Sequence, residues 1–181
     1  MGRGTMASGT YSTASGYETS ASGVASTASG YQTTASGYAA MSSGQYTTAS
    51  GYFSMAMGLE TTASGYYSTA MGSYSTASGN NSTATGNYTT AQAYDSFVIG
   101  TYNVGLNTSG GTASATTWVA TDPLFEVGNG GNGWSGNPAA TSPSDALVVY
   151  KNGNARLQGA LTTTTVITTA PAGDIPMYTG N

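Results

Sequence analysis

Along residues 5–104 the apolar positions are small and evenly spaced, and Ser, Thr and Tyr fill most of the space between them. Alanine recurs every seven residues from Ala7 to Ala35 and from Ala49 to Ala91, with Ser42 and Val98 as the departures. Two residues after each of these positions a glycine follows. Twelve such glycines run from Gly9 to Gly86, Ala93 takes the next slot, and Gly100 resumes the series. The unit reads roughly S/T-T-A-S-G-Y-x, as in Ser12-Thr13-Ala14-Ser15-Gly16-Tyr17-Glu18. So strict a period over more than half the chain means one small unit stacked many times.

A seven-residue period first suggests a coiled coil, but glycine in every second helical turn would cost ~1 kcal/mol per site. The e and g positions would also lack their usual charges. Short strands punctuated by tight turns fit better. Glycine is then expected to supply the unusual backbone angle at each corner. Strand alternation turns the alanines inward and their flanking residues outward, which makes a very thin interior.

The flanks carry a second, longer period. Large apolar residues fall in alternate repeats: Met41, then Met55 with Met57, then Met71, then Phe97 with Ile99. Met57, Met71, Thr85 and Ile99 are spaced by 14, as are Met41 and Met55. The predicted unit is therefore a 14-residue coil of two strands, one facing water and one facing something apolar. About seven coils at ~4.8 Å each give a solenoid roughly 34 Å tall. An alanine-lined interior buries too little surface to fold such a chain alone. Each fully buried Met or Ile contributes ~1.5–3 kcal/mol, so cyclic self-association along this ladder is expected.

Composition narrows the function. Of 181 residues only three are Lys or Arg and seven are Asp or Glu, with no His and no Cys. Three cations cannot neutralise a run of phosphates, which argues against nucleic acid as a partner. Disulfides and thiolate metal sites are excluded, and no cofactor motif is present. No stretch approaches the ~20 apolar residues of a membrane-spanning helix, so no membrane insertion is expected. The start, Met1 to Met6, passes into the repeats without an apolar leader.

The units Ser68-Thr69-Ala70-Met71-Gly72 and Ser96-Phe97-Val98-Ile99-Gly100 resemble the S-x-A-x-G repeat of head domains in YadA-type trimeric adhesins. The resemblance covers residues 5–104. It implies an all-β, left-handed parallel β-roll packed as a homotrimer, with Met41, Met55, Met57, Met71, Phe97 and Ile99 lining the trimer axis. The earliest coils depart from that pattern, since Thr13, Ser15, Thr27 and Ser29 occupy the apolar slots.

After Tyr102 the period stops. Residues 105–117 read as a turn-rich connector, and residues 118–160 as a β-rich cap or neck with a hairpin at Asn152-Gly153. The Thr- and Pro-containing residues 161–181 read as an extended tail. Asp122-Pro123-Leu124-Phe125-Glu126-Val127-Gly128, with Tyr150 to Asn154, is similar to segments that follow such heads in bacterial and phage fibre proteins. A cap is also needed physically, because an open solenoid end exposes unpaired strand edges.

Catalysis is not expected, because no nucleophile–base pair can be drawn without His or Cys and Lys151 sits in the hairpin. Asp122, Glu126 and Asp145 could form a carboxylate cluster for a cation, although solvated strand-end acids are the plainer reading. The aromatics after the glycines are the candidate surface contacts: Tyr52, Tyr66, Tyr67, Tyr74 and Tyr88, together with Trp134 in the Gly-Asn loop. They either stack on sugars or partner proteins, or cover corners and subunit seams.

The predicted function is a trimeric fibre or spike module. A phage tail or head fibre on the virion surface is favoured because such a fibre needs neither leader nor anchor. Its partners would be itself, other fibre or virion proteins, and a cell-surface glycan or protein. The alternatives are the head of a bacterial trimeric autotransporter adhesin at the cell surface, an ice-binding solenoid using Thr13, Thr27, Thr34, Thr48, Thr62, Thr76 and Thr90, and a purely structural spacer.

Overall fold

A computed structural model describes residues 2–105, 111–131 and 143–158 of the chain. Seven coils stack into a parallel β-solenoid, and each contributes one strand to each of two sheets. The shorter strands are β1 (Met6–Ala7), β3 (Ser20–Ala21), β5 (Thr34–Ala35), β7 (Thr48–Ala49), β9 (Thr62–Ala63), β11 (Thr76–Ala77) and β13 (Thr90–Ala91). The longer ones are β2 (Thr13–Tyr17), β4 (Thr27–Tyr31), β6 (Met41–Gln45), β8 (Met55–Leu59), β10 (Thr69–Ser73), β12 (Thr83–Asn87) and β14 (Phe97–Thr101). Pairing is parallel, and each residue faces its copy fourteen places on: Ala56 meets Ala70, and Gly58 meets Gly72. No helix occurs among the described residues.

Alanine fills the interior as the alternation requires. Ala28, Ala56, Ala70 and Ala84 from the longer strands, and Ala35, Ala49, Ala63 and Ala77 from the shorter ones, are fully buried. Ser42 fits the same column because its hydroxyl has partners inside, Thr47 Oγ1 at 2.7 Å and the Thr47 carbonyl at 2.9 Å. The interior also holds two hydroxyl columns at the corners, which alternation along the strands does not foresee. Thr33, Thr47 and Thr61 close one side, and Ser26, Ser54 and Ser68 the other, all buried. Each of these serines donates to the carbonyl three residues earlier, as Ser54 does to Gly51 at 2.8 Å. The bond closes the turn.

The expectation that glycine supplies the unusual backbone angle holds for alternate glycines: Gly16, Gly30, Gly44, Gly58, Gly72, Gly86 and Gly100 have φ between 101° and 138°. The left-handed residue stands two places after each glycine slot, from Tyr11 to Tyr102, with φ between 46° and 62°, and none of the fourteen is glycine. Such a conformation costs on the order of 1 kcal/mol for an L-residue. It is held by a bond to the preceding coil, as when Tyr67 N–H donates to the Tyr52 carbonyl at 2.7 Å. The other glycines of the series, Gly9, Gly23, Gly37, Gly51, Gly65 and Gly79, have no positive φ and are needed for close approach alone. A Cβ at Gly51, whose φ is not positive, would lie 1.9 Å from the carbonyl oxygen of Gly65 in the next coil.

Three further strands extend the longer sheet: β15 (Pro123–Asn129), β16 (Asp145–Tyr150) and β17 (Ala155–Leu157). Strand β15 pairs in parallel with β14 and aligns Phe125, Glu126, Val127 and Gly128 with Phe97, Val98, Ile99 and Gly100. It acts as an eighth rung on one sheet only. Strands β16 and β17 follow antiparallel, joined by a turn in which Gly153 has φ 87° and donates to the Tyr150 carbonyl. On the shorter sheet β13 is the last strand, and Asn103 covers its edge. The Asn103 carboxamide accepts from Thr90 N–H at 2.7 Å and donates to the Thr90 carbonyl at 2.9 Å, as a paired strand would. Ala93 stands in a glycine slot where no further rung of the shorter sheet stacks upon it.

Candidate interaction surfaces

The outer face of the ten-stranded sheet carries two parallel columns of side chains. One runs Thr13, Thr27, Met41, Met55, Thr69, Thr83, Phe97, Phe125 and the other Ser15, Ser29, Ser43, Met57, Met71, Thr85, Ile99, Val127. Strand β16 continues both, placing Val149 opposite Phe125 and Leu147 opposite Val127. Leu157 then faces Leu147. The face is polar at its N-terminal end and apolar at its C-terminal end, with no charged side chain in either column. Met41 is 41% exposed and Phe97 is 43% exposed, while Met55, Met57, Met71 and Ile99 are half-buried. Phe97 and Phe125 stack with ring centres 5.9 Å apart. Sequence reasoning missed Phe125, Val127, Leu147 and Val149 on this face. The available signal was Gly128, which stands four heptads after Gly100 and meets it in the sheet.

The threonines read as one rank divide between two faces. Thr13 and Thr27 begin β2 and β4 on the ten-stranded sheet, whereas Thr34, Thr48, Thr62, Thr76 and Thr90 pair in register on the seven-stranded sheet.

The aromatics form ladders at the two corners. On one, Tyr38, Tyr52 and Tyr66 follow one another at 5.8 and 5.2 Å, beside Phe53 stacked on Tyr67 at 5.2 Å. On the other, Tyr74, Tyr88 and Tyr102 stack at 4.4 and 4.5 Å. A ring stacked on both sides gives its faces to its neighbours and offers mainly its edge and hydroxyl outward. Tyr52, Tyr66 and Tyr67 are nevertheless about half exposed and lie on one corner with Phe53. Trp134 lies outside the described residues, as do residues 106–110 of the connector and the tail 161–181.

The three acids are buried rather than solvated, which corrects the plainer reading: Asp122 is 1% exposed, Glu126 2% and Asp145 5%. They occupy two places. Asp122 Oδ2 accepts from Ser114 N–H at 2.8 Å, tying the segment before β15. Beside it, Lys151 Nζ lies 5.0 Å from the Trp118 ring centre and 5.8 Å from that of Tyr94, and burial lowers its pKa. Glu126 and Asp145 meet at the end of the solenoid. Glu126 Oε2 accepts from Asn103 Nδ2 at 2.9 Å and from Gly105 N–H at 3.2 Å. Asp145 Oδ1 accepts from Val104 N–H at 3.0 Å, and Arg156 donates to its Oδ2 at 3.4 Å. Burial pushes the Glu126 carboxyl up to about 7, with the neighbouring Asp145 adding to the rise. Burial raises Asp145 as well, against the opposing Val104 bond and the Arg156 charge. Among the described residues no three acidic side chains converge as a metal site would need. The pair is a clasp that holds residues 103–105 over the open end.

The family model of the YadA head domain repeat matches residues 7–33, 28–54, 49–75 and 77–103. These spans together cover more than half of the chain and coincide with the seven coils. No curated protein matches the chain.

Proposed function

As the chain belongs to the family of YadA head domain repeats, a structural adhesin repeat with surface-exposed heads, we propose that it is the trimeric head module of an attachment fibre. YadA head domains form trimers and bind host surfaces. The observation that supports a trimer here is the outer face of the ten-stranded sheet, where large apolar side chains, exposed or half-buried, stand on every rung from Met41 to Leu157 except the Thr83 and Thr85 rung. So large an apolar face rarely stays without a partner. Placed around a three-fold axis, Met57, Met71, Ile99 and Val127 of each copy meet their equivalents, and every side chain counts three times. The polar N-terminal coils, with Thr13, Ser15, Thr27 and Ser29 on that face, gain less from association and are the part expected to fray first.

The seven-stranded sheet and the aromatic corners then face away from the axis and serve attachment. The carrier we propose is a phage virion, with a bacterial adhesin as the alternative. The wording from Asp122 to Asn154 resembles segments after such heads in fibres of both kinds. The in-register Thr34-to-Thr90 rank keeps an ice-binding reading testable, since such a rank can order water.

Light scattering on a gel-filtration peak tests the assembly. A mass three times the 18.0 kDa chain is expected. Ile99→Asp is expected to dissociate it, because it would bring three carboxylates together on an apolar axis. A monomeric wild-type chain would overturn the axis and, with thermal hysteresis, move the function to the threonine face. Immunogold labelling of virions against bacterial surfaces separates the two carriers. Failure of the trimer to bind any cell would leave a spacer.

A further inference from the structure

The corner that follows the longer strands presents one residue per coil at its left-handed position: Glu18, Gln32, Tyr46, Glu60, Tyr74, Tyr88 and Tyr102. Most of these side chains are occupied by the next in line. Gln32 Nε2 donates to Glu18 Oε2 at 2.6 Å, and the last three rings stack on one another. Tyr46 differs. It meets Tyr31 edge-on, at 5.4 Å and 83°, and the next coil offers it Glu60 instead of a ring. The interruption leaves a shallow cavity of about 390 Å³ lined by Tyr46, Glu60 and Thr62. Tyr46 itself is 43% exposed.

We propose that this notch is a subsite for a neutral, hydroxyl-rich pyranose, a reading that rests on the attachment function above and gives it a ligand class. The three lining groups supply what such a sugar needs. An unstacked tyrosine offers a flat apolar surface to the C–H face of the ring. The Glu60 carboxylate accepts charge-assisted bonds from vicinal hydroxyls. The Thr62 hydroxyl donates and accepts at the rim, where β9 begins. The volume lies in the range of small-molecule sites, ~300–1,000 Å³. Glu60 also selects against anionic sugars by charge. Its carboxylate lies near the Tyr74 hydroxyl and raises the pKa of that hydroxyl. Among the rings of this corner, Tyr88 is the internal control, because Tyr74 and Tyr102 cover both its faces.

The test is saturation-transfer NMR with titration, on the assembled full chain, using methyl β-glucopyranoside, N-acetylglucosamine and sialyllactose as probes. Saturable binding of a neutral probe is expected, with sialyllactose inert. Tyr46→Ala should weaken the neutral probe by about tenfold or more. Glu60→Gln should weaken it by a smaller factor, and Tyr88→Ala should leave it unchanged. Unchanged melting curves for Tyr46→Ala keep the loss attributable to the site. Absence of saturable binding to either neutral probe, equal losses from Tyr46→Ala and Tyr88→Ala, or binding of tetramethylammonium in place of sugar would overturn the proposal, the last in favour of a cation site. Cell binding is scored separately. If the wild-type chain attaches to cells but binds neither neutral probe, the subsite fails while the attachment reading stands; sugar binding without attachment fails that reading and leaves the subsite.

Discussion

Gly51→Val is expected to destabilise the head by about 3–5 kcal/mol per chain, more than any surface substitution on the same coil. The reason is steric and local. Gly51 lies at a corner where the next coil passes so close that a Cβ would stand 1.9 Å from the Gly65 carbonyl oxygen and 3.0 Å from that of Ser64. Backbone cannot yield as a side-chain end can. The coils must separate there, which loses inter-coil bonds worth ~0.5–1.5 kcal/mol each and adds an overpacking cost of ~1–3 kcal/mol. Because stacking is one-dimensional, the damage divides the solenoid into two shorter arrays with a fresh unpaired edge on each. Ala93→Gly is the control: this slot lies on the last rung of its sheet, so the change should stay within about 1 kcal/mol. Urea melts followed by circular dichroism at fixed protein concentration read both. A Gly51→Val midpoint equal to wild type would sink the close-approach argument.

The second large effect concerns pH. Glu126 occupies the interior slot that alanine or valine fills in the coils, in register with Val98 and Val148. Its folded carboxyl sits up at about 7, against an ordinary 4.5, so the folded state holds a proton that the unfolded chain has released. The sign follows. The clasp is at full strength below about pH 4.5 and loses stability as pH rises through 7, by a sum on the order of 3 kcal/mol. In the protonated form Glu126 is neutral beside Asp145, while Asn103 and Gly105 donate to Glu126 Oε2, Val104 donates to Asp145 Oδ1 and Arg156 faces Asp145 Oδ2. Glu126→Gln carries a neutral amide of the same shape. It is expected to flatten the pH dependence and to exceed wild type in stability at pH 8. Glu126→Ala should cost stability at every pH, since it strips the Asn103 and Gly105 donors of their acceptor. Hydrogen exchange at Val104 and Gly105, measured from pH 5 to 9, locates the effect at the clasp. A wild-type rate that falls as pH rises, once corrected for intrinsic exchange, would refute the assignment.

Much of this protein was open to reading along the chain. The seven-residue period, the inward alanines and the fourteen-residue register needed no tertiary information, because in a solenoid each residue's neighbour is its own copy one coil later. Met57 meeting Met71, and Gly58 meeting Gly72, follow from spacing alone. The apolar ladder from Met41 to Ile99 was legible for the same reason.

What the chain order concealed depends on backbone approach and on distant returns. A glycine reads alike whether it serves a positive φ or a close carbonyl, and only coil-to-coil distance assigns Gly51 to the second use. The corner hydroxyls look like surface serines until the turn folds Ser54 back onto Gly51. The ring ladders hide and reveal faces according to what the next coil offers, so Tyr46 stands out only against Glu60. Beyond Tyr102 the period no longer predicts neighbours. Strand β15 returns 28 positions later to continue the longer sheet, and that return carries Glu126 inward and Phe125 and Val127 outward. Periodic spacing determines contacts between copies; where the repeats end, the geometry of the closing rung decides which acids are buried and how far the apolar face extends.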